Sequence, residues 1–482
     1  MRSRRALTTL TAADAPQESS RHPRLAVRGS CGSAVRAARF LFGCSILSLA
    51  IAGPTGAAAP ALETPPVRLT LDDAIERARA ASPRLAERRA LAAAAEAGRR
   101  EAGASRLPAL DASAGYTRDS NVPELAVAFP GTAPRTLFPN IPDNWRARVS
   151  ISMPLYTGGR LSSLVEAAGR QEQAAKKDLE SSDLDLVLET SVAYWDLVTG
   201  REEQRVLQEG LAAYDAHLRD ATNRESAGLA AHNEVLAVQV ERDQAELSRL
   251  RAENTAAVTE ANLIRLVGLP PGSALDPTEP LEEHEASQDD LEGLVRQALA
   301  ARPERAAIVE HIAGDEQRVR TERAAGRPQA LFSGGYDYAR PNRRILPPED
   351  LWKSSWDASV NVTLSLFDGG RTSASVARAG SQLEASRQRL ADFDQRVRLE
   401  VTSRLLDART ASEAVRVAAG SLESAALNRR VAQDRYREGV SPSSDLLDAE
   451  NALLRAGLSR TEALARVQVA RAALRRTVGD RP

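Results

Sequence analysis

Two aspartates near the C-terminus, Asp445 and Asp448, form the pair of ionisable residues whose spacing is most suggestive. A separation of three residues places both carboxylates on the same side of a helix. Such a pair could bind a cation. From spacing alone, however, the two residues better suit the first turn of a helix, where acids complement the helix dipole.

The other residue types that commonly carry chemistry show no catalytic pattern. The five histidines are His22, His217, His232, His284 and His311. None is spaced as a metal-ligand pair such as H-x-x-x-H, and Gly158-Gly159-Arg160 and Gly369-Gly370-Arg371 lack the Lys-Ser/Thr of a phosphate-binding loop. We therefore expect no enzyme activity, no metal and no cofactor, so that any energy source must be another protein.

The first 61 residues predict an export leader. Arg36 and Arg39 precede an apolar run from Phe40 to Ala52, and small residues follow up to Ala61. This order of charged, apolar and small residues is typical of a signal peptide. The Arg- and Ser-rich stretch before it suggests either that translation starts near residue 35 or that the leader is unusually long.

Both cysteines, Cys31 and Cys44, fall inside this leader. The sequence leaves open whether a lipid is attached at Cys44. The rest of the chain has no thiol for a disulfide, a metal site or a nucleophile.

The net charge argues against nucleic acid as a partner. The whole chain has 64 basic and 65 acidic residues, of which eight and two lie in the first 61, leaving 56 and 63. A mildly acidic body of this kind lacks the basic surface that nucleic acid requires.

The rest of the chain is a duplication. Segments that match at a separation of 220 residues are Ser82-Pro83 with Arg302-Pro303 and Gly115-Tyr116 with Gly335-Tyr336; those that match at 211 are Pro154–Arg160 with Ser365–Arg371 and Gly268 with Gly479. A period this long excludes a solenoid of short repeats. We expect a first repeat over 62–269, a connector over 270–288 at mid-height, and a second repeat over 289–482.

Each repeat is predicted to contain two strands and three helices. The strands are expected near 109–118 and 145–156, and near 329–338 and 356–367; the helices are expected at 83–105, 160–227 and 232–267, and at 303–325, 371–438 and 443–478. Each strand has the length that crosses a bilayer as a tilted β-strand. Each long helix holds 68 residues without a proline, about 100 Å of helix.

Alternation in the strands predicts one face toward lipid and one toward water. Val149, Ile151, Val360 and Val362 are predicted to face lipid, while polar residues alternate with them. A half-exposed soluble sheet would show the same alternation.

Heptad spacing in the long helices predicts coiled-coil packing, as in the series Val401, Ala408, Val415 and Leu422. Gly228 and Gly439 are the predicted turns at the tips of the helical hairpins, because glycine suits a left-handed helix stop.

Four strands cannot close a barrel, and an open edge in lipid leaves backbone groups unsatisfied. Three chains would supply twelve strands, enough for an aqueous lumen. The predicted fold class is therefore mainly α with a membrane β-barrel: a trimeric, 12-stranded barrel continued by an α-helical barrel.

The duplicated motifs also resemble a known family. Arg106–Leu110, Pro154–Arg160, Leu364–Arg371 and Tyr436–Ala449 are similar in type and order to segments of the TolC-type outer-membrane efflux proteins, and the resemblance extends from about Leu69 to Gly479. It implies a homotrimer in the outer membrane of a Gram-negative bacterium, surrounded by lipid and with a long periplasmic extension. The family's partners are a periplasmic adaptor and an inner-membrane pump.

The resemblance implies a passive exit channel for small molecules such as drugs, gated at its periplasmic tip. Asp445 and Asp448 match the acidic rings of the family's entrance, and Tyr436 and Glu234 match residues of its closing contacts. Ser441 occupies the position of the family's tip arginine, so an arginine-based lock is absent or relocated.

Three other functions remain compatible with parts of the sequence. The channel could serve type I protein secretion instead of small-molecule efflux. A periplasmic adaptor also has long helical hairpins, but adaptors lack paired, bilayer-length strands. A secreted enzyme with coiled-coil arms would need a catalytic set that the sequence does not supply.

The predicted faces of the last strand can be tested with adjacent residues. Val360→Arg should impair membrane insertion, because a charge on the lipid face near the midplane costs about 2–4 kcal/mol. Asn361→Arg should be tolerated, since it faces water. Heat-modifiable migration of the protein from outer-membrane fractions measures insertion, and equal behaviour of both variants would contradict the assignment of the faces.

Overall fold

A computed structural model of the chain describes residues 66–128, 130–283 and 290–480. The predicted leader and both cysteines lie outside the described residues. The first half contains β1 (Val67–Leu69), α1 (Leu71–Ala81), α2 (Pro83–Ala104), β2 (Ala109–Arg118), β3 (Leu125–Val127), β4 (Arg135–Phe138), β5 (Asp143–Tyr156), α3 (Arg160–Ser226) and α4 (His232–Val267). The second half contains β6 (Leu275–Pro277), α5 (Leu291–Ala301), α6 (Pro303–Arg323), β7 (Gln329–Arg340), β8 (Lys353–Thr363), α7 (Arg371–Arg437) and α8 (Ser443–Val478), with one 3₁₀ turn at Ala324–Gly326.

The two long helices, α3 and α7, organise the helical part. Each has 67 residues, and each starts directly after a Gly-Gly pair. α3 contacts α2, α4, α6 and α8, whereas α7 contacts α5, α6 and α8. The helices α6 and α8 therefore lie between the two long helices, and α2 and α4 lie on the side of α3 that is away from α7.

The shorter helices meet end to end. Gly268, which ends α4, has a left-handed φ of 70°, and a Cβ atom there would overlap the Cβ atom of Ala81 at the end of α1. Gly479, which ends α8, would place a Cβ atom 3.0 Å from the backbone of Ala301 at the end of α5. Glycine is thus required at both joints by conformation and by space.

The core is concentrated at these joints. Tyr194, Leu197, Leu263 and Leu275 are buried together with residues of α1. The hydroxyl of Tyr194 donates to the Leu69 carbonyl over 3.1 Å. The Glu279 amide donates to the same Tyr194 hydroxyl over 3.2 Å, and β6 pairs in parallel with β1, so the connector after α4 is fixed to the segment that precedes α1.

The four long strands form one antiparallel sheet in the order β2-β5-β7-β8. Residues directly opposite each other share a face, so the register sorts the side chains. One face carries the apolar residues Leu110, Tyr116, Trp145, Val149, Ile151, Phe332, Tyr336, Trp356, Val360 and Val362. The four residues predicted to face lipid thus share one face, and their contact with lipid stays a prediction. The outer edges of β2 and β8 have no partner strand within the described part of the chain.

The opposite face of the sheet is polar and crosslinked by ion pairs. Arg148 on β5 contacts Asp337 on β7 at 2.5 Å and Asp357 on β8 at 3.0 Å. Arg146 adds a second contact to Asp337 at 2.6 Å. Leu331 is an apolar exception on this face, opposite Asn361. These ion pairs fix the register of three adjacent strands.

The structure differs from the sequence prediction at several boundaries. The last strand was predicted over 356–367, but β8 runs from Lys353 to Thr363. It ends there because Thr363 pairs with Gln329, the first residue of β7, so later residues have no partner. Four helices end one or two residues earlier than predicted, at Ala104, Ser226, Arg323 and Arg437.

Some elements were not predicted at all. These are the helices α1 and α5, the pairing of β1 with β6 in the predicted connector, and the β3–β4 hairpin in the loop after β2. No helix among the described residues has the length and apolar character needed to cross a membrane.

The end-to-end joint can be tested by adding one methyl group. Gly268→Ala should be more destabilising than Gly272→Ala, although both glycines have a left-handed φ, of 70° and 86°. The shared conformational cost is about 1–2 kcal/mol, and only the methyl group added at position 268 would overlap Ala81, adding about 1–3 kcal/mol. Thermal unfolding of the purified variants measures the difference. Equal losses would show that the joint is not closely packed.

Candidate functional site

The hairpin tips, where α3 turns into α4 and α7 turns into α8, contain the residues predicted to be functional. Gly228 and Gly439 occupy the turns with left-handed φ angles of 73° and 72°. In the first hairpin the Leu229 amide donates to the backbone carbonyl of Arg224 over 2.8 Å. In the second, the Val440 amide donates to the backbone carbonyl of Arg435 over 2.9 Å. Both hairpins therefore stop their helices with the same left-handed motif.

Asp445 and Asp448 lie on the exposed side of the start of α8. Asp445 is in the first turn, where its charge complements the helix dipole. Neither carboxylate forms an ion pair with a residue in the described part of the chain, so both remain free for another ligand or chain. Sequence and structure thus agree that the two acids share an exposed helix side.

Tyr436 is the point where the two hairpins meet. Its ring is buried, and the guanidinium of Arg224 on α3 lies over it at 4.4 Å. Arg224 also donates to the Arg437 carbonyl over 3.1 Å. Burial raises the pKa of Tyr436, the charge of Arg224 opposes this, and the nearby Glu234 carboxylate raises the pKa further. Glu234 therefore lies close enough to Tyr436 to act on it electrostatically.

A buried histidine next to Tyr436 was not recognised in the sequence. The His217 ring lies 5.3 Å from the Tyr436 ring. Its Nδ1 atom is 2.9 Å from Glu450 Oε2, and its Nε2 atom is 3.0 Å from Ser443 Oγ. Since Glu450 and Ser443 are on α8, this cluster fixes the first turns of α8 to α3.

The Ser443, His217 and Glu450 side chains have the order of a hydrolase triad, but their environment excludes that chemistry. Ser443 is 3% exposed and His217 is 4% exposed, so no substrate can reach the hydroxyl. One helical turn away, the Tyr214 hydroxyl donates to Asn451 Oδ1 over 2.7 Å. Burial, with the charge of Glu450, raises the pKa of Tyr214 to about 12. The Ser443–His217–Glu450 cluster and the Tyr214–Asn451 hydrogen bond together form a polar layer between α3 and α8.

A pattern in the sequence could have identified this layer. Leu207, Tyr214 and Ala221 are seven residues apart and all buried, and His217 follows Tyr214 by three, which is the other core position of a heptad. A polar residue at a core position indicates a buried partner. The partner itself, Glu450, lies more than 200 residues away and cannot be inferred from spacing.

The chain offers a matched pair of histidine–glutamate contacts to test this layer. His217→Ala should destabilise the tip by about 3 kcal/mol, because it leaves the buried Glu450 without its partner. His232→Ala removes a similar contact to Glu225, but His232 has a side-chain exposure of 72%, so the loss should be under about 1 kcal/mol. Hydrogen–deuterium exchange of α3 and α8 measures the local effect. Equal protection in both variants would contradict a locking role for His217.

Comparison with known proteins identifies the family of the chain. Protein CyaE of Bordetella pertussis is 26% identical over 395 residues, which cover 79% of this chain and 82% of CyaE. Outer membrane protein OprJ of Pseudomonas aeruginosa is 25% identical over 312 residues, which cover 63% of this chain and 64% of OprJ.

The fold agrees with a solved channel structure. The outer-membrane channel OprN superimposes with a TM-score of 0.72 and 19% sequence identity, over 85% of this chain and 90% of OprN. This likeness shows a channel fold of the TolC type. A sequence model of the outer membrane efflux protein family matches residues 74–269 and 294–480. The chain therefore belongs to the outer membrane efflux protein family, whose members are transport channels of the outer membrane and not enzymes.

Proposed function

We propose that three copies of this chain form a passive exit channel through the outer membrane. The channel releases small molecules that an inner-membrane pump delivers through a periplasmic adaptor protein. The observation that carries the proposal is the four-stranded sheet with two unpaired edges and one apolar face. Within lipid each unsatisfied backbone group costs several kcal/mol, so the edges must pair with other copies of the sheet.

The helices support the same assembly. α2 and α4 lie at one side of the helical layer and α7 at the other, matching the positions of β2 and β8 at the two sides of the sheet. Apolar side chains are exposed along both outer helices of the single chain. They include Leu236, Val240 and Leu247 on α4, and Leu399, Leu406 and Leu427 on α7. Val240 and Leu247 are seven residues apart, and the three leucines of α7 are separated by multiples of seven. This spacing favours a helical partner, which the next copy of the chain would provide.

A passive role follows from the residue types present. The sequence contains no phosphate-binding loop that could couple nucleotide hydrolysis to transport. The driving force must therefore come from the pump.

The gate is proposed at the hairpin tips. Threefold symmetry would place three copies of Asp445 and of Asp448 around the entrance, forming two rings of carboxylates. Like charges at short distance repel, and a bound cation relieves that repulsion. The Tyr436–Arg224 contact lies behind these rings and joins the two hairpins of each chain. Opening would require the hairpins to separate at this contact.

The assembly and the pore are tested together with the purified full-length chain. Cross-linking should give a trimer, and planar lipid bilayers should show single-channel conductance. A stable monomer that conducts would contradict the proposal, because four strands cannot enclose a pore.

The acidic rings are tested by Asp445→Ala combined with Asp448→Ala. Trimer assembly should be unchanged, because both residues are exposed and lie far from the sheet. Cation preference, measured as the reversal potential in a salt gradient, should fall, and block by hexaamminecobalt(III) from the periplasmic side should weaken. Unchanged selectivity and unchanged block would show that the two acids only complement the helix dipole.

A further inference from the structure

The loop between β7 and β8 folds over the polar face of the sheet at the end farthest from the helices. Asn342 is buried, and its Nδ2 atom donates to the Lys353 carbonyl over 3.0 Å and to Ser355 Oγ over 3.1 Å. Ser355 lies opposite Asp337, on the polar face. The next residues, Arg343 and Arg344, are therefore held above that face, and we refer to residues 341–344 as the inward loop.

Four arginines line one cleft beneath and beside the inward loop. Arg146 and Arg148 come from β5, and Arg343 and Arg344 come from the loop. The cleft has a volume of about 630 Å³, and Asp337 and Asp357 line it as well. Asp119 approaches Arg343 at 3.5 Å. Four guanidinium groups thus face three carboxylates, and each chain keeps an excess positive charge here.

The positive groups face the open space, and the negative groups lie below them. The side chains of Arg343, Arg344 and Arg146 are exposed by 76%, 53% and 60%. Those of Asp337 and Asp357 are exposed by only 8% and 32%. Each guanidinium has five N–H donors, and the contacts to these carboxylates use only some of them. Arg344 also donates to the Trp356 carbonyl. The donors that remain on these three exposed side chains are accessible to an anion.

Arg148 lies beneath the exposed arginines and is itself held by two carboxylates. Arg148 contacts both Asp337 and Asp357, and its guanidinium occupies the space that a Cβ atom at position 335 would need. Gly335 is therefore required for this arrangement. Arg148 is fixed by two carboxylates and offsets one of their two charges. Arg146 and Arg344 lie at 2.6 and 3.7 Å from the same two carboxylates and offset the other.

We propose that this cleft binds multiply charged anions at the outer mouth of the channel. Its ligands would be soluble compounds with phosphate or clustered carboxylate groups, since guanidinium groups bind both in bidentate geometry. Lipid phosphates are excluded, because the cleft opens on the face opposite the apolar one. The proposal rests on the trimeric channel proposed above, in which three clefts would surround the exit.

The test measures block by an anion added to one side of the reconstituted wild-type channel. Tripolyphosphate added on the extracellular side should reduce single-channel conductance at a lower concentration than on the periplasmic side. Raising the salt from 0.1 to 1 M should weaken the block, since the screening length falls to about 3 Å. Absence of any conductance would count against the proposed channel itself, whereas conductance without sided block would overturn only the anion site.

Substitutions in the inward loop test whether the anion blocks the channel by binding in this cleft. Arg343→Gln with Arg344→Gln should raise the half-blocking concentration at least about tenfold. Arg118→Gln is the control matched to Arg343→Gln, because both arginines are exposed and paired with an aspartate, but Arg118 ends β2 on the opposite face of the sheet. It should leave the block unchanged. Arg343→Gln alone, which removes one exposed contact, is the alternative if the double variant does not fold. Block that is equal in all variants would overturn the proposal.

Discussion

The constraint on which the rest of the molecule depends is that backbone groups at a sheet edge must be hydrogen-bonded when the sheet lies in lipid. Four long strands form the sheet, and its first and last strands each leave one edge unpaired among the residues that the structure describes. On the apolar face, Val149 and Val360 are exposed in the single chain. The long helices continue directly from the strands, so neighbouring copies that pair these edges would also cover the exposed apolar residues of α4 and α7.

Two polar networks, at opposite ends of the molecule, fix the relative positions of elements that apolar packing alone would leave free to slide. In the sheet, Arg148 joins three strands through Asp337 and Asp357. At the tip, His217 joins α3 to α8 through Glu450 and Ser443. Small alanine side chains line much of the helical seam, and such a surface specifies axial register weakly. A single buried polar contact specifies register strongly, since any displacement leaves charged groups unpaired.

The sequence predicted the repeating architecture well because that architecture depends on local signals. Period-two alternation marks β5 and β8, and the glycine pairs before Arg160 and Arg371 mark the starts of the long helices. The short elements were missed for a different reason. Helix α1 has an N-terminal box formed by Thr70 and Asp73, which was readable but overlooked. The β1–β6 pair joins residues more than 200 positions apart, and three residues of strand carry too little pattern to reveal such a partner.

The predicted residues of the candidate site came from the resemblance to the family, which singled out Asp445, Asp448, Tyr436 and Glu234. The spacing of Asp445 and Asp448 predicted that they share one side of a helix, and the structure places them on one exposed side of α8. The buried layer of His217, Tyr214 and Glu450 was not found, because its chemistry arises only when two distant helices pack together. The arginine cleft was missed for a similar reason: Arg343 and Arg344 lie in a proline-containing loop whose inward fold depends on the Asn342 contacts.

The two unpaired edges of the chain are not alike, since one is β2 and the other is β8. Each contact in a ring of such chains therefore joins the N-terminal half of one copy to the C-terminal half of the next, a heterologous interface. In the proposed trimer, a cell that makes a normal and an edge-defective version in equal amounts would mix them at random, and only about one ring in eight would contain normal chains alone. In a cell that carries both versions of the gene, such a defect would thus be dominant. A loss of expression, which removes chains without spoiling the remaining rings, would instead be recessive.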